Sequence, residues 1–256
     1  TGWQEAELPH DALEELTNGK TIRVKDIKGS VNEYIHVKSK DSADQAVFGR
    51  ITDPDNGLIA PVLLDNLEAA GIQPLNLGQT LALDALLNDN ISMVTLTGKA
   101  GTGKTLLAVA AGLRKLFQED IYNRLLIFRP TTPVGNKDLG YLPGEIEDKM
   151  RPWMQPIHDA LEFIKERDKR SKNRCLPPDI DESGEVVVEP LAYIRGRSIP
   201  HQFIIIDETQ NLTPLEVKTV ITRVGMGTKI VLTGDLHQID NPYIDTMSNG
   251  LSHVVD

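Results

Sequence analysis

Gly98, Gly103, Lys104 and Thr105 stand at the spacing G-x-x-x-x-G-K-[ST], the pattern of a loop that wraps phosphates. The full run is Gly98-Lys99-Ala100-Gly101-Thr102-Gly103-Lys104-Thr105. Its three glycines let successive backbone N–H groups turn inward around an anion, a geometry that side chains resist. Lys104 brings a positive charge to the β- and γ-phosphates, and the Thr105 hydroxyl is placed to hold Mg²⁺. Far along the chain, the apolar run Phe203–Ile206 ends in Asp207 and Glu208. Asp207 at a strand end can hold the same Mg²⁺ opposite Thr105. Glu208 beside it is suited to orient or deprotonate an attacking water. Gly234-Asp235-Leu236-His237-Gln238 follows another apolar run, and Gln238 there is placed to sense a γ-phosphate. His237 has no partner visible in the sequence and reads as structural. Ahead of the loop stands Gln79, whose amide can pair a donor and an acceptor with the edge of adenine. A helix-surface glutamine is the plainer reading of that residue. The plain alternatives for the two main motifs are a glycine-rich turn that binds nothing and an acidic helix cap.

Elements must hold these residues in place. Ser92–Thr97 is β-branched and apolar and reads as a buried parallel strand, with Thr105–Phe117 as the helix whose N-terminus faces the anion. Arg124–Phe128 is a second buried strand, ending at Arg129, Thr131 and Thr132. In open α/β sheets ligands gather at such carboxyl ends, although a charged strand end with local threonine turns is an equal reading. Trp153–Phe163 reads as a helix. Thr213–Val224 reads as another, with Thr213 as cap and Pro214 at its first position. Lys229–Thr233 is a further strand, and Leu251–Asp256 looks like the start of a helix leading to one more. The pattern is an α/β parallel sheet with helices on both faces, over residues 61–256. Residues 1–60 differ: short alternating segments at Thr21–Val24, Asn32–Lys38 and Gln45–Ile51 predict a small β-rich unit. Its aromatics, Tyr34 and Phe48, are too few for a stacking platform. Pro61–Asn90 reads as helical, broken at Gly71 and Pro74. Pro133–Pro156 reads as a long structured loop, and the basic run Lys165–Arg174 as a solvated mobile loop rather than a phosphate contact.

The bulk composition narrows the class. With 40% hydrophobic and 25% charged residues the chain is that of an ordinary globular protein. No apolar run approaches membrane-spanning length and no signal peptide opens it, and a cytoplasmic protein is expected. Cys175 is the only cysteine, which excludes an internal disulfide framework. The net charge of −10 argues against a coat of basic charge, not against a local basic channel. The chain opens on Thr1, so a fragment of a longer protein is expected.

Gln79, Gly98–Thr105, Asp207-Glu208-x-Gln210 and Gly234-Asp235-x-x-Gln238 together resemble the core of superfamily 1 helicases. The likeness to the PhoH family is closer. It rests on Arg129-Pro130, Leu139–Gly144, Arg195-Gly196-Arg197, Ile206–Asn211, Thr222-Arg223 and Thr233–Asp240. The β-rich start, with Asn32-Glu33-Tyr34, resembles the linker of proteins that join a PIN ribonuclease domain to a PhoH domain. No PIN carboxylate cluster is recognisable here. The resemblance implies a RecA/helicase-like P-loop NTPase, using ATP and Mg²⁺, acting on single-stranded RNA and assembling as a hexameric ring. It makes Arg223 and Arg129 candidates for the γ-phosphate, one of them in a neighbour's site. Arg195 and Arg197 become candidates for that finger or for nucleic-acid contacts. Members of the family continue past the position of Asp256 with an arginine-bearing segment, whose lack predicts slow turnover. Two other classes stay open from the residues alone: a phosphotransferase using the same loop, and an ATP-gated assembly module without motor activity.

Overall fold

The computed structural model describes residues 3–25, 27–40, 46–62, 67–130, 146–172, 174–180, 182–194 and 199–255. They form two compact units, Thr1–Leu67 with Leu75–Asp84 and Glu68–Pro74 with Ala85–Asp256. No helix among the described residues is long and apolar enough to cross a membrane.

The first unit is a mixed sheet. Its elements are β1 (Trp3–Leu8), α1 (His10–Thr17), β2 (Ile22–Arg23), β3 (Tyr34–Ser39), β4 (Ala46–Asp53) and β5 (Leu58–Pro61). The strand order is β1-β3-β4-β5-β2, with β1 parallel to β3 and the other pairs antiparallel. Period-two alternation sends Ile35, Val37, Ile51 and Ile59 to one face, where Leu13 and Leu16 of α1 close the core. On β3 and β4, Phe48 stacks on His36 at 4.6 Å between ring centres and meets Trp3 edge-on at 6.0 Å. The predicted β-rich start is therefore present, with β1 and α1 added to it. Its boundary differs from residue 60. The first part of α2 (Leu77–Leu87) belongs to this unit, where the Tyr34 hydroxyl donates to Asp84 at 2.7 Å. Among the described residues of the expected helical stretch 61–90, the helix is Leu77–Leu87; Pro61 ends β5 and Ala69–Ile72 forms a β-bridge.

The second unit holds β6 (Met93–Thr97), α3 (Lys104–Leu113), β7 (Leu125–Arg129), α4 (Ile146–Arg170), β8 (Val186–Pro190), β9 (Phe203–Ile206), α5 (Pro214–Ile221), β10 (Lys229–Gly234) and α6 (Gly250–Val255). Among the described residues the sheet is five-stranded and wholly parallel, in the order β6-β10-β9-β7-β8. One face of β7, β9 and β10 presents Leu126, Phe128, Ile204, Ile206, Ile230 and Leu232, packed with Val217 and Val220 of α5 and Leu251 of α6. The opposite face carries α3 so closely that a Cβ on Gly112 would lie 2.7 Å from Leu125 Cδ1. All four residues of β9 are buried, as expected for a central parallel strand covered on both faces.

Two expectations are corrected here. α4 begins at Ile146, seven residues before Trp153, and runs through Pro152 and Pro156; a proline removes one helix hydrogen bond without ending a helix held by packing. It also runs on to Arg170, so most of the basic run is a helix end and not a loop. Arg167 lies 5.1 Å over the Phe163 ring, Lys165 pairs with Glu162, and buried Asp168 accepts the N–H groups of Cys175 and Leu176. Burial, and then Asp168, pushes the Cys175 thiol up to about 12, which leaves it unreactive at neutral pH.

Candidate functional site

The loop Gly98–Thr105 joins β6 to α3 in the second unit. Gly101 (φ 75°) and Gly103 (φ 85°) take the left-handed conformation that glycine permits, and Gly103 caps α3. The end of β10 pins the loop from behind. Gly98 N–H donates to the Gly234 carbonyl at 3.2 Å, and Ala100 N–H donates to Asp235 Oδ2 at 3.0 Å. The His237 N–H, and then that of Ala100, hold the Asp235 carboxyl below the usual carboxylate range. Lys104 folds over the loop, its Nζ donating to the carbonyls of Gly98 (2.6 Å) and Lys99 (3.0 Å). Thr102 Oγ1 donates to the Lys99 carbonyl at 2.8 Å.

Asp207 follows β9 directly and is 3% exposed. Its Oδ1 accepts the Thr105 hydroxyl at 2.7 Å and the Thr233 hydroxyl at 2.6 Å. Its Oδ2 faces Arg129 Nη1 at 3.7 Å. One carboxylate and one threonine hydroxyl side by side, at the mouth of a phosphate loop, suit a small hard cation that keeps most of its water and takes phosphate oxygens. Thr105 and Asp207 are the residues that would hold it.

Glu208 turns the chain sharply. Its backbone is left-handed (φ 54°, ψ 42°), which is uncommon for a side chain other than glycine and costs about 1 kcal/mol or more. The carboxylate is held by Gln210 Nε2 on Oε2 at 2.5 Å and faces Arg129 Nη2 from Oε1 at 3.5 Å. Arg129 thus stands between the two acidic residues, and its Nη1 is buried without a hydrogen-bond partner. Gln238 is exposed in the turn after β10 and His237 is exposed beside it.

The structure thus gathers Gly98, Lys99, Ala100, Gly101, Thr102, Gly103, Lys104, Thr105, Arg129, Asp207, Glu208 and Gln238 at the carboxyl edge of one sheet. Arg223 is not among them. It follows α5 at the opposite edge, where its carbonyl accepts the Ile199 N–H ahead of β9, and its Nε is buried without a partner. Gln79 belongs to the first unit, where it completes the N-terminus of α2: its N–H donates to Asn76 Oδ1 and its Oε1 accepts the Leu75 N–H. Thr131, Thr132, Leu139–Gly144, Arg195 and Arg197 lie outside the described residues. Sequence reasoning missed three contributors. By sequence alone Thr233 is a strand residue, Asp235 part of a turn, and Gln210 a position in a pattern. The signal for each was its place at or beside the end of a buried strand next to the acidic pair.

Residues 71–256 match the family described as PhoH-like protein. Protein PhoH2 of Bacillus subtilis (strain 168) is 46% identical over 100% of this chain, which covers 58% of that protein. Protein PhoH2 of Mycolicibacterium smegmatis is 41% identical over 68% of this chain and 38% of its own length. The chain therefore spans little more than half of the first relative and well under half of the second. Among solved structures, the UvsW helicase from bacteriophage T4 is similar over 68% of this chain and 58% of that one, with a TM-score of 0.43 and 17% identity. The α/β sheet, the phosphate loop and the acidic strand end mark a nucleotide-binding NTPase fold. Since the matched span takes in the loop, the acidic pair and the Gly-Asp turn, and the match to PhoH2 covers the chain from end to end, this chain belongs to the PhoH-like protein family.

Proposed function

We propose that this chain is an ATP-hydrolysing motor, an ATP-dependent RNA helicase or translocase that needs Mg²⁺. The observation that carries the reading is the Thr105–Asp207 hydrogen bond at the mouth of the phosphate loop, with Arg129 facing both Asp207 and Glu208. In this reading the phosphates of ATP lie against the loop and the N-terminus of α3. Lys104 gives up the Gly98 and Lys99 carbonyls to reach the β- and γ-phosphates. Thr105 and Asp207 hold Mg²⁺, which when bound neutralises charge on those phosphates. Glu208 takes the proton of the attacking water, and Gln238 reads the γ-phosphate. Arg129, which faces both carboxylates, would supply positive charge at the γ-phosphate.

The polymer part of the reading rests on the resemblance to superfamily 1 helicases. Thr131, Arg195 and Arg197 are the proposed contacts to single-stranded RNA. We place the working form in the cytoplasm as a hexameric ring, in which Arg223 serves a neighbour's site, and with a PIN ribonuclease domain elsewhere in the full-length protein. The test is ATP turnover with single-stranded RNA, with DNA and with no polymer, for the parent chain and for Lys104→Ala. RNA-stimulated phosphate release, abolished in Lys104→Ala, is the expected result. Turnover indifferent to any polymer would favour an assembly module, and transfer of phosphate to an acceptor without phosphate release would favour a phosphotransferase.

A further inference from the structure

Gln210 sits in the short 3₁₀ turn Thr209–Asn211 with none of its surface exposed. A side-chain amide buried so fully must find its partners inside the protein. Gln210 finds three. Its Nε2 donates to Glu208 Oε2 at 2.5 Å and to the Gln238 carbonyl at 2.8 Å, and its Oε1 accepts the Asp235 N–H at 3.1 Å. Two donors face two acceptors and the oxygen faces a donor, so the opposite flip of the amide would set like against like three times. The neighbouring strand end is shaped around this side chain. A Cβ on Gly234 would collide with Gln210 Oε1 and lie 2.7 Å from Leu251 Cδ2. Glycine at 234 therefore leaves the space that Gln210 fills.

These contacts converge on groups that the proposed reaction needs. Glu208 is the water-facing carboxylate, Gln238 reads the γ-phosphate, and Asp235 holds the Ala100 N–H of the phosphate loop. We propose that Gln210 is a positioning residue for hydrolysis. It captures Oε2 of Glu208 and leaves Oε1, which lies beside Arg129 Nη2 at 3.5 Å, as the oxygen that would take the proton of the water. It also fixes that carboxylate to the same turn that carries Gln238 and Asp235, so that base, sensor and loop keep one geometry. The inference rests on the reading of Glu208 as the base for water. A side chain that merely filled the core would support stability and leave the chemistry of Glu208 alone.

The experiment measures kcat and KM for ATP, nucleotide affinity and the thermal midpoint in the full chain. Gln210→Glu keeps the shape and the acceptor for Asp235 but sets a carboxylate against Glu208. Gln210→Met keeps the bulk and removes every hydrogen bond. Each is combined with Glu208→Gln in a double-mutant cycle. The expected result is a fall in kcat on the order of 10²-fold, the cost of a misplaced reacting group. KM and nucleotide affinity stay unchanged, and no further loss appears once Glu208 is already glutamine. Should Gln210→Met fail to bind nucleotide, Gln210→Glu carries the test, and Gly234→Ala, which displaces the amide, should give the same signature. Normal kcat in any folded Gln210 variant would overturn the inference, as would an equal loss on both backgrounds or a rise in KM alone. Loss of turnover in Glu208→Gln beside normal turnover in the Gln210 variants would overturn this inference and leave the reading of the site standing. Normal turnover in Lys104→Ala and Glu208→Gln would overturn that reading and the inference with it.

Discussion

Asp207 and Glu208 are neighbours in sequence and opposites in surroundings. Asp207 is buried and its Oδ1 collects two hydroxyls, so its charge is fixed in place for a cation. Glu208 is half-buried on a strained turn, with one oxygen tied and the other beside a guanidinium at 3.5 Å. That division predicts how the pair fails. Glu208→Gln should retain ATP and Mg²⁺, because Thr105 and Asp207 are untouched, and should lose about 10²- to 10⁴-fold in turnover, the usual worth of a positioned base. Binding by fluorescent nucleotide and single-turnover hydrolysis measure the two separately. Lost binding with turnover preserved in the bound fraction would reverse the two roles. The placement of the pair at a strand end beside the loop was legible in the sequence, because a buried apolar run that ends in two acidic residues marks it. Thr233 and Gln210 were not legible as contributors. Nothing in an Ile-Val-Leu-Thr run says that its hydroxyl turns to a carboxylate 26 residues earlier, since only the parallel pairing of β10 with β9 brings it there.

At the scale of elements, the phosphate loop is held by β10 as much as by its own glycines. The Asp235 carboxylate accepts two backbone N–H groups, which lower its pKa from the ordinary value of about 3.9. A carboxyl depressed in the fold contributes its clamp above the ordinary value and loses it only as pH falls through the lower, folded one. Nucleotide affinity should therefore show no step from Asp235 between neutral pH and about pH 5. Asp235→Ala, which frees the Ala100 N–H, should weaken nucleotide binding throughout that range; affinity equal to the parent's would show that the loop holds itself. A second element test concerns α5. Thr213 and Glu216 form a complete capping box, with Thr213 Oγ1 accepting the Glu216 N–H at 3.3 Å and Glu216 accepting the Thr213 N–H at 2.9 Å. Thr213→Ala should cost about 1 kcal/mol of stability in a denaturant titration, and an unchanged midpoint would refute the cap's role. This cap, like β6, α3, β9 and β10, was legible because local chemistry and burial agree. α4 was not, because its two prolines and its charged end each argue locally against a helix that packing sustains. β1 and β8 were missed because their residues are mostly half-buried, without the clean alternation or the long apolar run that marks a strand.

At the scale of the whole molecule, the role proposed for Arg223 must be squared with a site that it does not approach. Thr105 and Asp207 lie at the carboxyl edge of the sheet, while the Arg223 carbonyl pairs with Ile199 ahead of the amino end of β9. Between the two edges runs β9, Phe203–Ile206, about 13 Å at ~3.3 Å per residue. The Arg223 Nε is buried without a hydrogen-bond partner within the chain. In a head-to-tail assembly the contacts are heterologous, and they form a ring only where the rotation closes. The proposed ring therefore gives Arg223 a triphosphate that belongs to the next copy, where an arginine finger is worth on the order of 10³–10⁵ in rate. This can be read by mixing. Arg223→Ala alone should bind ATP normally and turn it over slowly. Lys104→Ala alone should be inactive. Mixed and allowed to exchange, the two should regain turnover, because an intact loop in one copy then meets an intact arginine from its neighbour. The oligomer size of each variant, by light scattering, must match the parent's for the comparison to count. Recovery that rises and falls with the mixing ratio supports an arginine acting between copies. Mixtures no more active than the sum of their parts, at the parent's oligomer size, would return Arg223 to a purely structural place at the sheet's amino edge and leave Arg129, already beside both carboxylates, as the arginine of the site.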